Sequence, residues 1–197
     1  MRRSLPARHA AVITLALALA GCANSQVRAA RRAAEAPAEP AAATSGTIGA
    51  TARADLRNTQ GALVGTISMQ QAAQGLLITV DIANLPPGSH GMHVHAVGRC
   101  DPPAFESAGG HFNPTGRQHG ARNEMGQHAG DLPNLQVPAS GSTRVDIVAR
   151  ELTLGATGSG LFDADGSAVV VHALADDYRT DPSGASGDRI ACGVVSR

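Results

Sequence analysis

Seven side chains of the kind that bind transition metals lie between residues 93 and 172 of this 197-residue chain. Six are histidines and one is an aspartate: His93, His95, His111, His119, His128, Asp131 and His172. Imidazole suits copper and zinc, and a single carboxylate suits zinc. Seven such groups are too many for one four-coordinate ion. The set therefore predicts two adjacent metal ions that share a ligand.

The spacing of these residues favours a metal centre over chance. His93 and His95 are separated by one residue, so on a strand both project from the same face. Such a pair alone is a weak signal. However, three histidines and Asp131 follow the pattern His-x7-His-x8-His-x2-Asp within 21 residues that lack a hydrophobic period. His172 adds a distant ligand at the end of an alternating, valine-rich stretch.

Short strands joined by turns are predicted to position these residues. Aromatic residues make up 2% of the chain, and 23 Gly with 11 Pro favour turns over long helices. Alternating apolar residues predict strands within 50–57, 62–69, 76–82, 92–96, 145–149, 169–172 and 190–195. Two polar stretches without a period, 98–130 and 174–188, are predicted to be long functional loops. We therefore expect one all-β domain.

The first 21 residues have the pattern of an export signal. Three arginines precede an apolar run from Ala10 to Ala20, which is too short to span a membrane. The run ends in Leu-Ala-Gly-Cys, which resembles the bacterial lipobox, in which cleavage before the cysteine leaves that cysteine carrying a lipid. We predict that Cys22 anchors the protein to a membrane of the cell envelope, on the periplasmic side. Ordinary secretion, with Cys22 as an incidental thiol, is the alternative.

Composition divides the rest of the chain into a tether and a domain. Residues 22–46 are rich in Ala and Pro without a hydrophobic period, which predicts a flexible tether, and residues 47–197 form the predicted domain. From residue 47 onward 14 acidic residues face 10 arginines, a net charge of −4 with histidine neutral. This charge argues against nucleic-acid binding. The chain contains no Lys, so arginine must supply any attraction of an anion.

Cys100 and Cys192 are the two cysteines of the predicted domain. Two cysteines in an exported domain usually form a disulfide bond. Thiolate ligation of the metals is the alternative, and it is weaker because the histidines and the aspartate already fill two sites.

Five separated stretches resemble the signatures of the copper/zinc superoxide dismutase family, in order and at matching spacing. They are Gly91–His95, Gly110–Pro114, His119–Gly120, His128–Leu132 and Gly187–Val194. Ser107–His111 and Asp176–Tyr178 resemble the bacterial periplasmic branch. The resemblance covers about residues 47–197. With it we expect a Greek-key β-sandwich, or flattened barrel, of about eight antiparallel strands.

The resemblance implies a role for each candidate residue. Copper would be bound by His93, His95, His111 and His172, and zinc by His111, His119, His128 and Asp131. His111 would then be an imidazolate bridge between the two ions. Asp176 would join one copper-binding histidine to one zinc-binding histidine, Arg189 would attract the anionic substrate, and Cys100 and Cys192 would form the disulfide bond. His90 lies outside this set and is predicted to be a hydrogen-bonded or solvated histidine.

The activity that the resemblance implies is dismutation of superoxide to oxygen and hydrogen peroxide by a copper redox cycle. Arg189 and His111 would act in catalysis, membrane contact would be limited to the lipid, and the domain would be a monomer or a homodimer. A non-catalytic copper- or zinc-binding relative is one alternative, and intact His111, His172 and Arg189 argue against it. A dinuclear zinc hydrolase is another, and it fits poorly because only one carboxylate is present.

Overall fold

Nine strands and one short 3-10 helix make up the regular structure of residues 46–197, the part of the chain that the computed structural model describes. The strands are β1 (Thr51–Asn58), β2 (Leu63–Ala72), β3 (Gly75–Ile82), β4 (Gly88–His90), β5 (Met92–His95), β6 (Leu135–Val137), β7 (Thr143–Ala149), β8 (Ala168–His172) and β9 (Arg189–Val194). The helix spans Glu106–Ala108. The predicted all-β class is confirmed. The predicted signal segment, Cys22 and the tether up to residue 45 lie outside the described residues.

Seven strands form one curled antiparallel sheet in the order β5-β8-β9-β1-β2-β3-β7. The last strand in chain order, β9, pairs with the first, β1, and Arg57 lies opposite Cys192. The chain crosses from β3, near one end of the sheet, to β5 at the other end, as in Greek-key folds. β4 and β6 form a separate two-stranded pair. These two strands were not predicted, because three residues are too few to display an alternating pattern.

The core is built from the alternating aliphatic residues that predicted the strands. In β3, Leu76, Ile78, Val80 and Ile82 are at most 1% exposed. In β8 every residue is buried, so this strand is covered on both faces. A second, smaller cluster of Phe105, Ala108, Ala168, Val170 and Cys192 lies beside it. Two of its members come from the chain segment after β5, which therefore packs against the sheet.

Two loops contain the candidate site residues that do not lie on strands. The long loop, residues 96–134, connects β5 to β6, and the second loop, residues 173–188, connects β8 to β9. Both fall where the sequence predicted functional loops. The predicted disulfide is confirmed, since Cys100 of the long loop is bonded to Cys192 of β9 across a sequence separation of 92 residues. Closing a loop of that length stabilises a fold by about 4–5 kcal/mol in the chain-entropy model.

Within residues 46–197 the structure contains no helix that is long and apolar enough to cross a membrane.

Candidate metal centre

The edge strand β5 brings the candidate ligands together. His93 and His95 alternate along it with Met92 and Val94, and all four side chains are at most 1% exposed. On one side β5 pairs with β8, which ends at His172. On its other side the long loop makes two single-residue bridges, which place Asp131 opposite His93 and His111 opposite His95. Sheet pairing on both sides of β5 thus positions five of the seven candidates.

Four imidazoles converge into a four-histidine group made of His93, His95, His111 and His172, each offering a ligand nitrogen within 4.8 Å of the others. In all four one ring nitrogen is hydrogen-bonded, and in His111 it is Nδ1, which lies 2.8 Å from Asp131 Oδ1. His95 Nδ1 lies 2.9 Å from Gly109 O, His172 Nδ1 lies 3.1 Å from Gly187 O, and His93 Nε2 lies 2.8 Å from a carboxylate oxygen of Asp176.

The remaining nitrogens of this group fit a bound metal. His93 Nδ1, His95 Nε2, His111 Nε2 and His172 Nε2 are buried and have no hydrogen-bond partner among the described residues. A buried polar atom without a partner costs about 1–3 kcal/mol, so four in one place indicate a ligand that accepts their lone pairs. A set of imidazole nitrogens without a carboxylate suits copper.

The second group, called the mixed group, consists of His111, His119, His128 and Asp131. Asp131 Oδ1 lies 2.8 Å from His111 Nδ1 and 3.2 Å from His128 Nδ1, and the two nitrogens are 3.3 Å apart. His119 Nδ1 lies 3.1 Å from Asp131 Oδ2. Tetrahedral zinc with bonds of 2.0–2.1 Å requires ligand atoms about 3.3 Å apart. The mixed group therefore has the donor atoms and the dimensions of a zinc site.

His111 belongs to both groups. Its Nδ1 faces the oxygen of Asp131 in the mixed group, and its Nε2 is one of the unpartnered nitrogens of the four-histidine group. The ring is 3.9 Å from that of His93, measured between centroids. One imidazole with one nitrogen in each group is the arrangement that a shared ligand requires.

Asp176 of the second loop connects the two groups. Its Oδ2 lies 2.8 Å from His93 Nε2, and its Oδ1 lies 2.9 Å from His119 Nε2. The same Oδ1 accepts the backbone N–H of Tyr178 at 2.6 Å. Burial acts to raise the pKa of Asp176, but these hydrogen bonds outweigh it and hold the pKa well below its usual range. The carboxylate is therefore ionised and fixes the orientation of both rings.

The pKa of His119 shifts in the opposite direction to the pKa values of His95, His111 and His172. Burial, reinforced by neighbouring imidazoles, lowers the pKa of His172 to about 3 and that of His95 well below its usual value. Burial likewise lowers the pKa of His111 to about 4. For His119, hydrogen bonds to Asp131 and Asp176 overcome burial and raise the pKa to about 9. At neutral pH the rings of His95, His111 and His172 are therefore uncharged, whereas His119 carries a proton.

Arg189 is the cationic residue beside the four-histidine group. It is the first residue of β9 and pairs with His172 across β8 and β9. Its guanidinium donates to Phe105 O at 2.6 Å and to Gly109 O at 2.7 Å, so the long loop fixes its direction. Burial lowers its pKa, yet a guanidinium stays charged at any ordinary pH. Its charge acts on His95 and His172, lowering the pKa of each.

Comparison with known proteins identifies the family. Residues 63–195 match the sequence model of the family described as copper/zinc superoxide dismutase (SODC). The chain belongs to the copper/zinc superoxide dismutase family.

Several bacterial proteins are similar to this superoxide dismutase family member. Copper/zinc superoxide dismutase 1 of Aquifex aeolicus (strain VF5) is 45% identical over 145 residues, which cover 72% of this chain and 85% of that protein. The superoxide dismutase-like protein YojM of Bacillus subtilis (strain 168) is 48% identical over 144 residues, covering 71% and 73%. The solved structure of the Cu/Zn superoxide dismutase from Brucella abortus has a TM-score of 0.63 at 30% identity and covers 75% of this chain and 100% of its own.

The structure brings all seven predicted ligands of this superoxide dismutase family member together, and it places Asp176 and Arg189 beside them. That each one binds copper or zinc stays a prediction. His90 is buried and hydrogen-bonded, with its ring nitrogens 2.8 Å from His172 O and 2.9 Å from Pro86 O. The predicted alternative of solvent exposure does not apply to it.

Sequence reasoning missed two residues that hold Asp176 in place. Asn134 binds the backbone of Asp176 twice, through Nδ2 to the carbonyl and Oδ1 to the N–H, each at 2.8 Å. Gly184 has a φ of +65°, and a Cβ atom there would lie 1.9 Å from Asp176 Oδ1. No side chain fits at this position while the carboxylate stays where it is. Neither contact has a local sequence signal, because the partners lie in different parts of the chain or meet only when the second loop folds.

Proposed function

We propose that this protein catalyses the dismutation of superoxide to oxygen and hydrogen peroxide. One observation carries the proposal: four buried, unpartnered imidazole nitrogens lie beside a zinc-type group with which they share His111. Membership of the copper/zinc superoxide dismutase family supports the same activity. Further support comes from the candidate residues, whose types match those that the family resemblance implies and whose ligand atoms lie close together.

The histidines would hold the two metals in distinct ways. His93 would bind copper through Nδ1, and His95 and His172 would bind it through Nε2, since these nitrogens are otherwise unpartnered. Copper, when bound, supplies a one-electron couple that accepts an electron from one superoxide and returns it to the next. The mixed group would hold zinc and keep the long loop folded around it.

His111 would take up and then donate a proton in this reaction. As a ligand shared by two metal ions His111 would carry neither ring proton, since only two neighbouring cations make so basic a form feasible. His111 would take up a proton at Nε2, the nitrogen in the four-histidine group, while its Nδ1 stays in the mixed group. His111 would donate this proton to the superoxide that is reduced, and water would supply the second proton that hydrogen peroxide requires. The acidic partner Asp131 on the Nδ1 side keeps the ring in place during this exchange.

Arg189 would attract and position the substrate. The domain has a net negative charge, so a local positive charge must draw in the superoxide anion. The guanidinium is held by two carbonyl oxygens of the long loop next to the four-histidine group. Electrostatic attraction of this kind raises association rates by about 10- to 1000-fold and weakens as salt is added.

The activity is tested with protein purified, freed of metal and reloaded with copper and zinc. We expect it to remove superoxide, to lose that activity with cyanide while the fold persists, and to need copper for turnover. A variant with His172→Asn removes one unpartnered nitrogen and serves as the matched inactive control. Copper binding without superoxide removal would instead support a non-catalytic metal-binding protein and overturn the enzymatic function.

We further propose that the protein works in the cell envelope, anchored by a lipid on Cys22, and protects that compartment from superoxide arising outside the cytoplasm. Support comes from the lipobox-like ending of the N-terminal segment and from a disulfide in the domain, since disulfides persist in oxidising compartments. Fractionation of cells expressing the Cys22→Ser variant tests this. The variant should appear in the soluble fraction, and its retention in membranes would remove the anchor from the proposal.

A further inference from the structure

A second carboxylate, from the second loop, lies beside the mixed group. Asp181 Oδ1 accepts the backbone N–H of His119 at 2.6 Å. The same oxygen lies 3.9 Å from Nε2 of His128. The Asp181 side chain is 49% exposed, whereas that of His128 is 6% exposed. One oxygen atom thus touches the backbone of one candidate zinc ligand and faces the ring of another.

The position of Asp181 relative to His128 resembles a common arrangement in metal sites. A histidine that binds a metal through one ring nitrogen carries a proton on the other, and that N–H is normally directed at a carboxylate, a carbonyl or water. His119 already has this arrangement, with Nδ1 in the mixed group and Nε2 bound to Asp176 at 2.9 Å. His128 has Nδ1 in the mixed group, and its Nε2 points towards the side of Asp181.

The distance between Asp181 Oδ1 and His128 Nε2 determines the type of their interaction. At 3.9 Å Asp181 Oδ1 and His128 Nε2 are too far apart for a hydrogen bond, so the interaction is a longer-range electrostatic one. Zinc bound at Nδ1 would draw electron density from the ring and make the Nε2–H more positive, which strengthens its attraction to Asp181. Partial exposure screens the interaction, so its effect belongs at the lower end of the range for carboxylates behind metal-bound histidines.

We propose that Asp181 is a positioning residue for the zinc half of the centre, acting through the rings and backbone of His119 and His128. This inference rests on the proposed zinc site. Outer carboxylates of this kind change metal affinity by about 10- to 100-fold, and for Asp181 we expect about tenfold. Asp181 contacts His119 and His128, which both lie outside the four-histidine group, so we expect its effect on zinc.

Asp177 provides a matched control in the same loop. It is also an exposed aspartate, but its carboxylate oxygens accept hydrogen bonds from the backbone of Arg179 and Thr180 and from the Thr180 hydroxyl. Asp177→Asn and Asp181→Asn remove the same charge from the same loop. The Asn side chain at 181 also keeps an oxygen for the His119 N–H, so the substitution isolates the charge that faces His128.

The test measures zinc affinity of the full-length metal-free protein by competition with a chromophoric chelator at pH 7.5. Asp181→Asn should weaken the binding of one zinc ion about tenfold, and Asp177→Asn should leave it within about twofold of the parent. Equal affinity of the parent and Asp181→Asn would overturn the inference while leaving the zinc site intact. A parent protein that binds no zinc would overturn the zinc site itself.

Thermal unfolding separates positioning from a general structural role. If Asp181 acts on zinc, Asp181→Asn should lower the melting temperature of the zinc-loaded protein more than that of the metal-free protein, because only the first contains the interaction that is lost. An equal decrease in both forms would mean that Asp181 supports the fold alone, and the inference would fail. Asp181→Glu, which retains the charge, should recover most of the zinc affinity.

Discussion

Zinc binding should release a proton from His119, and this makes zinc affinity depend steeply on pH. Hydrogen bonds to Asp131 and Asp176 raise the pKa of His119 to about 9 in the metal-free protein. At pH 7.5 roughly 97% of the His119 rings therefore carry a proton that zinc must displace from Nδ1. The apparent affinity at pH 7.5 should then be about 30-fold, or about 2 kcal/mol, lower than the limit reached well above pH 9.

The direction in which zinc affinity changes with pH follows from which state of the protein binds the proton. The metal-free protein binds it and the zinc-bound protein does not, so raising the pH favours the zinc-bound state. Affinity should increase about tenfold for each pH unit between 7 and 8.5 and level off above about pH 9. His111, whose pKa is lowered to about 4, contributes no proton in this range when it binds through Nδ1.

The measurement is chelator competition at half-unit steps from pH 7 to 10, corrected for protonation of the chelator. Asp176→Asn serves as the matched variant, because it removes one of the two carboxylates that raise the pKa of His119. Its curve should level off at a lower pH than that of the parent. An affinity that does not change between pH 7 and 8.5 would refute the reasoning, as would identical curves for the two proteins.

Three further predictions follow from the contacts. Arg189→Ala should slow superoxide removal at low salt by tenfold or more and flatten its salt dependence, and an unchanged rate would contradict the role of the guanidinium. Gly184→Ala should displace the Asp176 carboxylate and weaken zinc binding in the chelator assay. Gly116→Ala is its control, since Gly116 has a φ of +64° and open space, so similar losses in both would point to backbone strain alone. Reducing the disulfide should lower the free energy of unfolding by about 4–5 kcal/mol in urea titrations, and a loss below about 1 kcal/mol would contradict the chain-entropy estimate.

Sequence patterns predicted the strands and the candidate ligands for different reasons. The strands were visible because alternation in β1, β2, β3 and β7 records which side of the sheet faces the core. The candidate ligands were visible because only a few side-chain types bind copper or zinc, and their concentration is improbable by chance. Even the shared position of His111 could be predicted, once the family resemblance had been recognised.

The contacts that hold Asp176 and His119 in place could not be predicted, because they depend on how the long loop and the second loop pack together. Asn134 recognises the backbone of a residue 42 positions away, and Asp181 caps the N–H of a residue 62 positions away. Amides and acids of this kind are common in any polar loop. The role of Gly184 depends on the close approach of the Asp176 carboxylate, which a sequence does not display. Such features emerge only when the long loop and the second loop are placed side by side.

A single peptide carbonyl connects Arg189 to the four-histidine group. Gly109 O accepts from Arg189 Nη2 at 2.7 Å and from His95 Nδ1 at 2.9 Å. An anion that draws the guanidinium towards itself weakens one of these bonds and leaves more of the oxygen's electron density to the other. The imidazole of His95 then becomes a better electron donor at the moment the anion arrives. If His95 carries its proton on Nδ1, the NMR chemical shift of that proton should therefore change when an anion binds at Arg189.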